Sequence, residues 1–444
     1  MKRSIVCIGA AAVAMFGSVG AARQATDAAS GVTVIHCGAL LDVPGRAPRQ
    51  GATVVVRAGR VERVLDGHAT NIAAAPGEPA PVFIDLKDRF VMPGLIDCHT
   101  HITGQYSRDV RLRRVVESDA DSAVRGVVYA ERTLMAGFTT IRNVGSSGRA
   151  AFALRDAIEA GLIPGPRVLE AGEGISATGG HGDGALGYRE DLFDIPGPYE
   201  GVADGVDACR QAVRAQVKRG ADLIKLTATG GVLSNTAAGL DRQFFDDELR
   251  AIVETGHLLG RKVAAHAHGA EGIKAALRAG VDSIEHGTYL DDECIALFKE
   301  TGAFLVPTIH AGKFVGERAK EEGYFPTPVR AKAEAVGPII QGAFARAHAA
   351  GVRIAFGTDV GVGEHGTNAL EFVYMTEAGM TPAEAIVSAT INAAELCGLS
   401  DEIGTIEPGK AADIIAVSGS PLRDVREMLG VKFVMKGGVV HKRE

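Results

Sequence analysis

The sequence predicts an α/β protein built on a (β/α)8, TIM-like barrel, with a small β-sandwich domain formed by both chain ends. From residue 91 onward, apolar strand candidates alternate eight times with helical stretches over roughly 270 residues, the usual size of such a barrel. These strand candidates are near-continuous apolar runs, as expected for a parallel sheet that is buried on both faces. Gly is abundant, at 57 of 444 residues, which suits many tight strand–helix turns. A doubly wound open sheet is the alternative arrangement of the same elements.

The first 22 residues are expected to be a secretory signal peptide. Lys2 and Arg3 give it a positive start, residues 5–19 are apolar and small, and Ala22 closes a small-residue run that suits cleavage. The apolar run is too short for a stable membrane anchor, so the protein is expected to be secreted or periplasmic. An ordinary N-terminal tail is the alternative. Five of the six cysteines follow this segment, and their odd number and wide spacing indicate small buried hydrophobes rather than a disulfide framework.

The two chain ends have the sequence pattern of short β strands. Residues 30–90 contain four apolar runs separated by Gly- and Pro-bearing turns, and residues 401–444 contain three more. The C-terminal segment is too short to fold alone, so it is expected to pair with the N-terminal one in a composite domain. The predicted strands of this domain are Val32–Ile35, Ala52–Arg57, Arg60–Val64, Val82–Leu86, Ala412–Val417, Val431–Met435 and Val439–His441.

Residues 91–400 are assigned to the barrel domain. Its predicted strands are Val91–Asp97, Thr139–Val144, Arg167–Ala171, Leu223–Thr227, Val263–His266, Ser283–His286, Ala303–Pro307 and Arg353–Thr358. The helical patterns between and after them are Ala120–Ala136, Val202–Arg219, Asp246–Leu259, Ala270–Ala279, Asp291–Thr301, Val329–Ala350 and Pro382–Gly398.

Polar residues with metal-binding chemistry fall where these strands end. In a barrel, the carboxyl ends of the strands meet on one rim, and catalytic residues come from that rim. A pair of histidines two residues apart on a strand points to one side, although taken alone such a pair is more often found on a surface without a metal. The residues that the alternation brings to one rim are His99, His101, Lys225, His266, His268, His286 and Asp359.

This donor set indicates two divalent cations. Imidazole and carboxylate ligands suit Zn²⁺ or a similar ion, and the set is too large for one tetrahedral metal. It fits two ions that share a bridging hydroxide. Lys225 lies between Ile224 and Leu226, and a buried lysine with a depressed pKa can react with CO2 to give a carbamate that bridges two metals. The alternative for Lys225 alone is a salt-bridged lysine at a strand end.

The motifs around these residues resemble the metal-dependent amidohydrolase superfamily, in its prolidase-like and imidazolonepropionase-like branch. That branch includes Xaa-Pro dipeptidases, Xaa-Arg carboxypeptidases and ochratoxin-hydrolysing enzymes. The resemblance covers residues 30–440, and its motifs are PGLIDCHTH at 93–101, IKLTATGG at 224–231, AAHAHG at 264–269, IEHG at 284–287, GTD at 357–359 and GTIEPGKAADIIAV at 404–417.

The resemblance implies a site for two divalent metal ions, with Zn²⁺ as the expected metal. His268 departs from a one-histidine pattern at the fifth strand, so either His266 or His268 could be the ligand there; His266 is preferred because it comes first, and His268 then contacts substrate or transition state. The expected ligands are His99, His101 and Asp359 for the inner ion, His266 and His286 for the outer ion, and N6-carboxylated Lys225 as the bridge between them.

The same resemblance implies hydrolysis of an amide bond in a dipeptide or N-acyl amino acid, with ochratoxin A as one candidate. Asp359 would take a proton from the attacking water and pass it to the leaving nitrogen. His181, in TGGHGD, would contact a substrate carboxylate or the developing oxyanion, and Tyr289 and His365 are further substrate-contact candidates.

This amide hydrolase is the first of three hypotheses for the function. The alternative within the superfamily is a cyclic-amide hydrolase or a deaminase of the imidazolonepropionase type; deaminases usually use one metal and no bridging lysine, so Lys225 argues against them. A scaffold that has lost its metals is disfavoured because all the expected ligands are present. The net charge of −7 and the lack of a basic block exclude nucleic acid as a partner. The expected partners are a small-molecule substrate and other copies of the chain in a homo-oligomer.

Overall fold

The computed structural model describes residues 31–235 and 239–444, so the predicted signal peptide lies outside the described residues. Fourteen strands form one mixed sheet of seven and two parallel sheets of three and four strands. Their bounds are β1 Val32–Leu40, β2 Arg49–Arg57, β3 Arg60–Asp66, β4 Val82–Pro93, β5 Leu95–Thr100, β6 Phe138–Asn143, β7 Arg167–Glu170, β8 Ile224–Thr227, β9 Val263–Ala267, β10 Ser283–His286, β11 Phe304–Val306, β12 Ile414–Val417, β13 Phe433–Lys436 and β14 Val439–Arg443.

Helices follow most of the parallel strands. None in the described ranges is both long enough and apolar enough to cross a bilayer. Their bounds are α1 Val110–Val116, α2 Asp119–Met135, α3 Ala150–Glu159, α4 Val206–Arg219, α5 Asp246–Leu258, α6 Ala270–Ala279, α7 Asp292–Thr301, α8 Ile309–Arg318, α9 Thr327–Val336, α10 Ile340–Ala349, α11 Leu370–Glu377, α12 Pro382–Val387 and α13 Ala393–Leu396.

The seven-stranded sheet combines strands from both chain ends. Its order is β14-β13-β12-β4-β1-β2-β3. The long strand β4 holds the two ends together, because it pairs in parallel with β1 and antiparallel with β12. Apolar side chains from both ends, including Ile35, Val54, Ile414 and Phe433, pack in one cluster on this sheet. The two ends therefore fold as one β unit.

The two parallel sheets, β5-β6-β7 and β8-β9-β10-β11, are joined at their edges by backbone hydrogen bonds. Between β7 and β8, Ile175 N donates to Lys225 O at 2.8 Å. Between β11 and β5 lies the extended segment 353–360, where Leu305 N donates to Arg353 O at 2.8 Å and Cys98 N donates to Phe356 O at 2.8 Å. Every residue of β5, β8 and β9 is buried, which explains their apolar character.

Several predicted elements differ from the observed ones. The predicted eighth strand, Arg353–Thr358, is an extended segment with one isolated bridge, between Ile354 and Leu305, and not a strand. The run predicted as one strand over 91–97 belongs to two strands, because β4 continues to Pro93 in the sheet of the chain ends and β5 begins at Leu95. Gly94 separates them, and a Cβ there would lie 2.2 Å from Thr139 Oγ1, so the close approach to β6 requires glycine. The stretch predicted as one helix over 329–350 is α9 and α10, which Pro338 separates because proline cannot donate the helical hydrogen bond.

Candidate metal centre and active site

The residues predicted for one rim are brought together in the structure. His99 lies in β5, Lys225 in β8, His266 in β9 and His286 at the end of β10, and all four side chains are buried. The segment 353–360 brings Asp359 to the same place, since Asp359 N donates to His99 O at 2.7 Å. The carboxyl ends of the parallel strands therefore assemble a cluster from segments that are far apart in sequence.

Three of the imidazoles are oriented by acceptors behind them. His99 Nδ1 is 2.8 Å from Glu285 Oε2, and His101 Nδ1 is 2.8 Å from the Gly145 carbonyl. His286 Nδ1 is 2.7 Å from Thr308 Oγ1, whose own proton goes to the Pro307 carbonyl. Each of these contacts assigns the ring proton to Nδ1, which leaves the lone pair of Nε2 free to bind a metal.

Asp359 faces those lone pairs. Its Oδ1 atom lies 3.5 Å from His99 Nε2 and 3.3 Å from His101 Nε2. The same atom is buried and accepts no well-aligned hydrogen bond within residues 31–235 and 239–444. A carboxylate oxygen and two imidazole lone pairs repel one another at these distances unless a metal cation or a proton lies between them. Ligand atoms of His99, His286 and Asp359 all lie within 4.8 Å of one another, so this side of the cluster fits a metal ion.

A second group of histidines lies beside the first and shares His286 with it. Ligand atoms of His266, His268 and His286 are also within 4.8 Å of one another, and His286 Nε2 is 2.9 Å from His266 Nδ1. Burial lowers the pKa of His268 to about 3 and the pKa of His266 and of His286 well below the usual range. The rings are therefore neutral ligands near pH 7, and both fifth-strand histidines remain available to a metal.

Lys225 meets the chemical requirement for carbamate formation. Its side chain is buried among the histidines, with only 5% of its surface exposed. Burial lowers its pKa to about 8, so an appreciable fraction is free amine near neutral pH.

Two residues of the cluster, His286 at the end of β10 and Asp359 in the segment 353–360, have strained backbone conformations. His286 has a φ of 75° and Asp359 a φ of 59°, values that L-amino acids rarely adopt. Such conformations persist where the surrounding contacts hold them in place, and they are concentrated at functional sites. Here the hydrogen bond from Asp359 N to His99 O holds the turn after the extended segment.

Asp97 supports the cluster from behind, and the sequence reasoning missed it. Its Oδ1 accepts from His99 N at 3.0 Å and from Thr358 N at 3.1 Å, and its Oδ2 accepts from Thr358 Oγ1 at 2.6 Å and Asn368 Nδ2 at 2.7 Å. Asp97 thereby ties the residue before Asp359 to the strand that carries His99. Cys98, between the two histidines, packs away from the cluster against Ala393, as its position on the strand implies.

A buried ion pair also supports His99. Arg142 Nη2 is 2.7 Å from Glu285 Oε1, and the other oxygen of Glu285 accepts from His99 Nδ1. Burial alone would raise the pKa of Glu285, but Arg142 and His99 outweigh it and hold that pKa at about 2. Arg142 further donates to the Cys98 carbonyl at 2.5 Å and to Ser283 Oγ at 3.0 Å. The group connects β5, β6 and β10 beneath the metal-binding residues.

The cluster lies at the base of a cavity of about 890 Å³. His181 reaches it from the loop after β7, with its ring centroid 4.3 Å from that of His266. Its Nδ1 is 2.6 Å from Ser234 Oγ, and burial lowers the pKa of His181 to about 4. The wall combines apolar side chains with charged ones of both signs, including Val232, Val315, Val329, Arg111, Arg114, Glu117 and Asp183.

Two predicted substrate contacts are not brought to this cavity. His365 is buried against Tyr129 at a ring distance of 4.6 Å, and its Nε2 bonds the Gly104 carbonyl at 2.8 Å. It therefore fixes the loop after His101. Tyr289 is 36% exposed and lies outside the described cavity lining, while its backbone N donates to His268 O at 2.9 Å.

Comparison with known proteins agrees with this arrangement. A model of the Amidohydrolase family matches residues 90–440. Ochratoxinase of Aspergillus niger is 34% identical over 93% of this chain and 87% of its own length, and imidazolonepropionase of Rhizorhabdus wittichii is 29% identical over 77% and 84%. The crystal structure of a Xaa-Pro dipeptidase with bound methionine in the active site superposes with a TM-score of 0.88, at 43% identity over 93% of this chain and 100% of the other.

The family match spans more than half of the chain, and these relatives represent the branch that the motifs indicated. The predicted enzyme class is thereby confirmed. The chain belongs to the amidohydrolase family, in its prolidase-like branch, and is a hydrolase that acts on amide bonds.

Proposed function

We propose that this enzyme uses two divalent metal ions, expected to be Zn²⁺, to hydrolyse the amide bond of dipeptides or N-acyl amino acids. The proposal rests on Oδ1 of Asp359, which is buried and has no hydrogen-bond partner among the described residues. The Nε2 atoms of His99 and His101 lie 3.5 Å and 3.3 Å from it. The proposed ligands are His99, His101 and Asp359 for one ion, His266 and His286 for the other, with His268 as the alternative to His266, and N6-carboxylated Lys225 between the ions.

The bound ions would supply an acidified water and polarisation of the amide carbonyl. Asp359 then accepts a proton from the attacking water as the C–O bond forms, and donates that proton to the leaving nitrogen as the C–N bond breaks. His181 and His268 face the same space and are proposed to donate to the developing oxyanion or to a substrate carboxylate.

The cavity supports this substrate class. Its volume of about 890 Å³ is within the range of small-molecule sites and exceeds what a dipeptide needs. Arg114 on α1 lines the cavity and suits a carboxylate, whereas Arg111 and Arg113 already bond the Gly187 carbonyl and Asp109. The apolar side chains of α8 and α9 suit a hydrophobic side chain or acyl group. The similarity to ochratoxinase and to a Xaa-Pro dipeptidase favours the same class.

The test is a substrate panel on zinc-loaded enzyme with the metal content measured in parallel. We expect two metals per chain and hydrolysis of at least one member among Xaa-Pro, Xaa-Arg and Xaa-Phe dipeptides, N-acyl amino acids and ochratoxin A. Turnover of cyclic amides or of amino-substituted rings alone would favour the alternative, an activity of the imidazolonepropionase type. One metal per chain would exclude the two-metal mechanism.

Replacing Lys225 by alanine is expected to remove the bridge. We predict that the metal content falls from two ions per chain to one or fewer and that activity falls at least about 10²-fold. Without the bridge, only His266 and His286 remain to hold the second ion, and they hold it poorly. Propionate or a similar short carboxylate should restore part of both, since it can enter the space left by the side chain. Lys218→Ala, at an exposed position of α4, is the control and should match wild type. Unchanged metal content in Lys225→Ala would contradict the bridging role.

Four further expectations are also proposed. We propose that the two parallel sheets and the segment 353–360 form one (β/α)8 barrel and that the seven-stranded sheet belongs to a β-sandwich; the edge hydrogen bonds support the first. We also propose cleavage near Ala22 with export, and assembly into a homo-oligomer. N-terminal sequencing of exported protein and light scattering test the last two.

A further inference from the structure

His181 is held by a loop that follows β8. Its backbone N donates to Gln243 Oε1 at 2.9 Å, and its Nδ1 is 2.6 Å from Ser234 Oγ. The ring also lies flat on the loop backbone, because a Cβ added to Gly231 would be 2.1–2.4 Å from the ring atoms of His181. Both the direction and the plane of the imidazole therefore depend on where residues 231–234 lie.

A single lysine fixes these same two loop residues. Lys332, on α9, donates from Nζ to the Gly231 carbonyl at 2.9 Å and to the Ser234 carbonyl at 2.8 Å. The cavity wall includes Val329 and Val336 of α9 and Val232 and Ser234 of the loop; Lys332 is not part of the described lining. Its ammonium thus acts behind the loop, on the residues that contact His181.

We propose that the Ser234 hydroxyl donates to His181 Nδ1, and that Lys332 is a positioning residue that, through Gly231 and Ser234, holds the His181 ring so that its Nε2–H points to the substrate. A hydroxyl that donates to Nδ1 leaves the single proton of a neutral imidazole on Nε2. That is the tautomer required to donate to a carboxylate or an oxyanion. If Ser234 moves, the alternative tautomer becomes accessible and the donor is lost.

This inference rests on the proposed function, and its main test is a double-mutant comparison. Lys332→Met keeps the aliphatic stem and removes both hydrogen bonds. We expect kcat/KM to fall about 10–100-fold, the range typical of residues that orient a site residue. Lys332→Arg, which can still donate to two carbonyls, should recover most of the loss. Lys320→Met makes the same substitution at a lysine whose side chain is 69% exposed, and this control should leave kcat/KM unchanged.

The decisive arm is the His181→Asn background. If Lys332 acts through His181, adding Lys332→Met to His181→Asn should change kcat/KM by less than about twofold, because the two substitutions remove the same interaction. An equal fold loss in both backgrounds, or a loss of bound metal in Lys332→Met, would overturn the proposal in favour of a general structural role.

A second readout does not need turnover. Ring ¹⁵N chemical shifts of His181, assigned by their absence in His181→Asn, report which nitrogen carries the proton. We expect a protonated Nε2 in wild type and a mixture of tautomers in Lys332→Met, whereas identical shifts would contradict the proposal. If the wild type hydrolysed no member of the substrate panel, the proposed function would fail while this measurement still decided the role of Lys332.

Discussion

Replacing Asp359 by asparagine is expected to reduce kcat by about 10³–10⁴-fold while the protein stays folded. Asparagine has the same shape, so the hydrogen bond from the residue 359 backbone N to His99 O can remain. The amide, however, cannot accept a proton from water or return it to the leaving nitrogen, and general acid–base catalysis is worth about 10²–10⁴-fold. Loss of the negative charge next to two imidazoles adds to the effect.

The measurement is kcat and metal content on the same preparation. Five side chains other than Asp359 are proposed ligands, so most of the metal should remain bound. Asp246→Asn, at a position whose side chain is 71% exposed, is a charge-matched control that should leave kcat unchanged. Activity of Asp359→Asn within tenfold of wild type would refute the proton-transfer role, and an apo protein would show that Asp359 acts mainly as a ligand.

Most of the rim residues could be predicted from sequence because they lie at the ends of apolar runs. His99 and His286 are polar residues at or next to the carboxyl end of a buried strand, and parallel strands bring such ends together. Lys225 instead lies inside β8, where a charged residue among apolar ones marks it. The alternation of elements was sufficient for that, even though the boundary between β4 and β5 was misplaced. A boundary error of a few residues does not change which end of a strand a side chain occupies.

The supporting residues were missed for a physical reason. Asp97 contacts Asn368, 271 positions away, and Arg142 contacts Glu285, 143 positions away, so no local pattern marks either pair. A usable signal did exist, since Arg142 and Glu285 are charged residues inside apolar strands, as Lys225 is. Charges in such places are almost never buried alone. Reading them as partners would have predicted the ion pair.

Loop residues were the hardest to place. His365 and His181 both follow Gly-rich stretches, yet only His181 reaches the cavity. The difference lies in their partners: Ser234 and Gly231 hold His181 over His266, whereas Tyr129 and the Gly104 carbonyl hold His365 in the protein interior. Glycine content indicates a turn, but tertiary contacts decide which way the side chain faces.

Replacing Arg142 by methionine is expected to be the most destabilising single change considered. The free energy of unfolding should fall by about 3–5 kcal/mol, the usual cost of removing one partner of a buried ion pair. Glu285 is fully buried and would retain only Ser283 and His99 as partners, and the Cys98 carbonyl would lose its donor as well. Methionine fills a similar volume, so the cost is electrostatic rather than a cavity effect.

Denaturant unfolding at a fixed zinc concentration measures this loss, because bound metal contributes to apparent stability. Arg330→Met, which breaks an ion pair on α9 whose side chains are 42% and 52% exposed, should cost less than about 1 kcal/mol. The double variant Arg142→Met/Glu285→Gln should be more stable than Arg142→Met alone, since the neutral amide leaves no unpaired charge and its oxygen can still accept from His99. A double variant as unstable as the single one would show that shape, and not the buried charge, determines the role of Arg142.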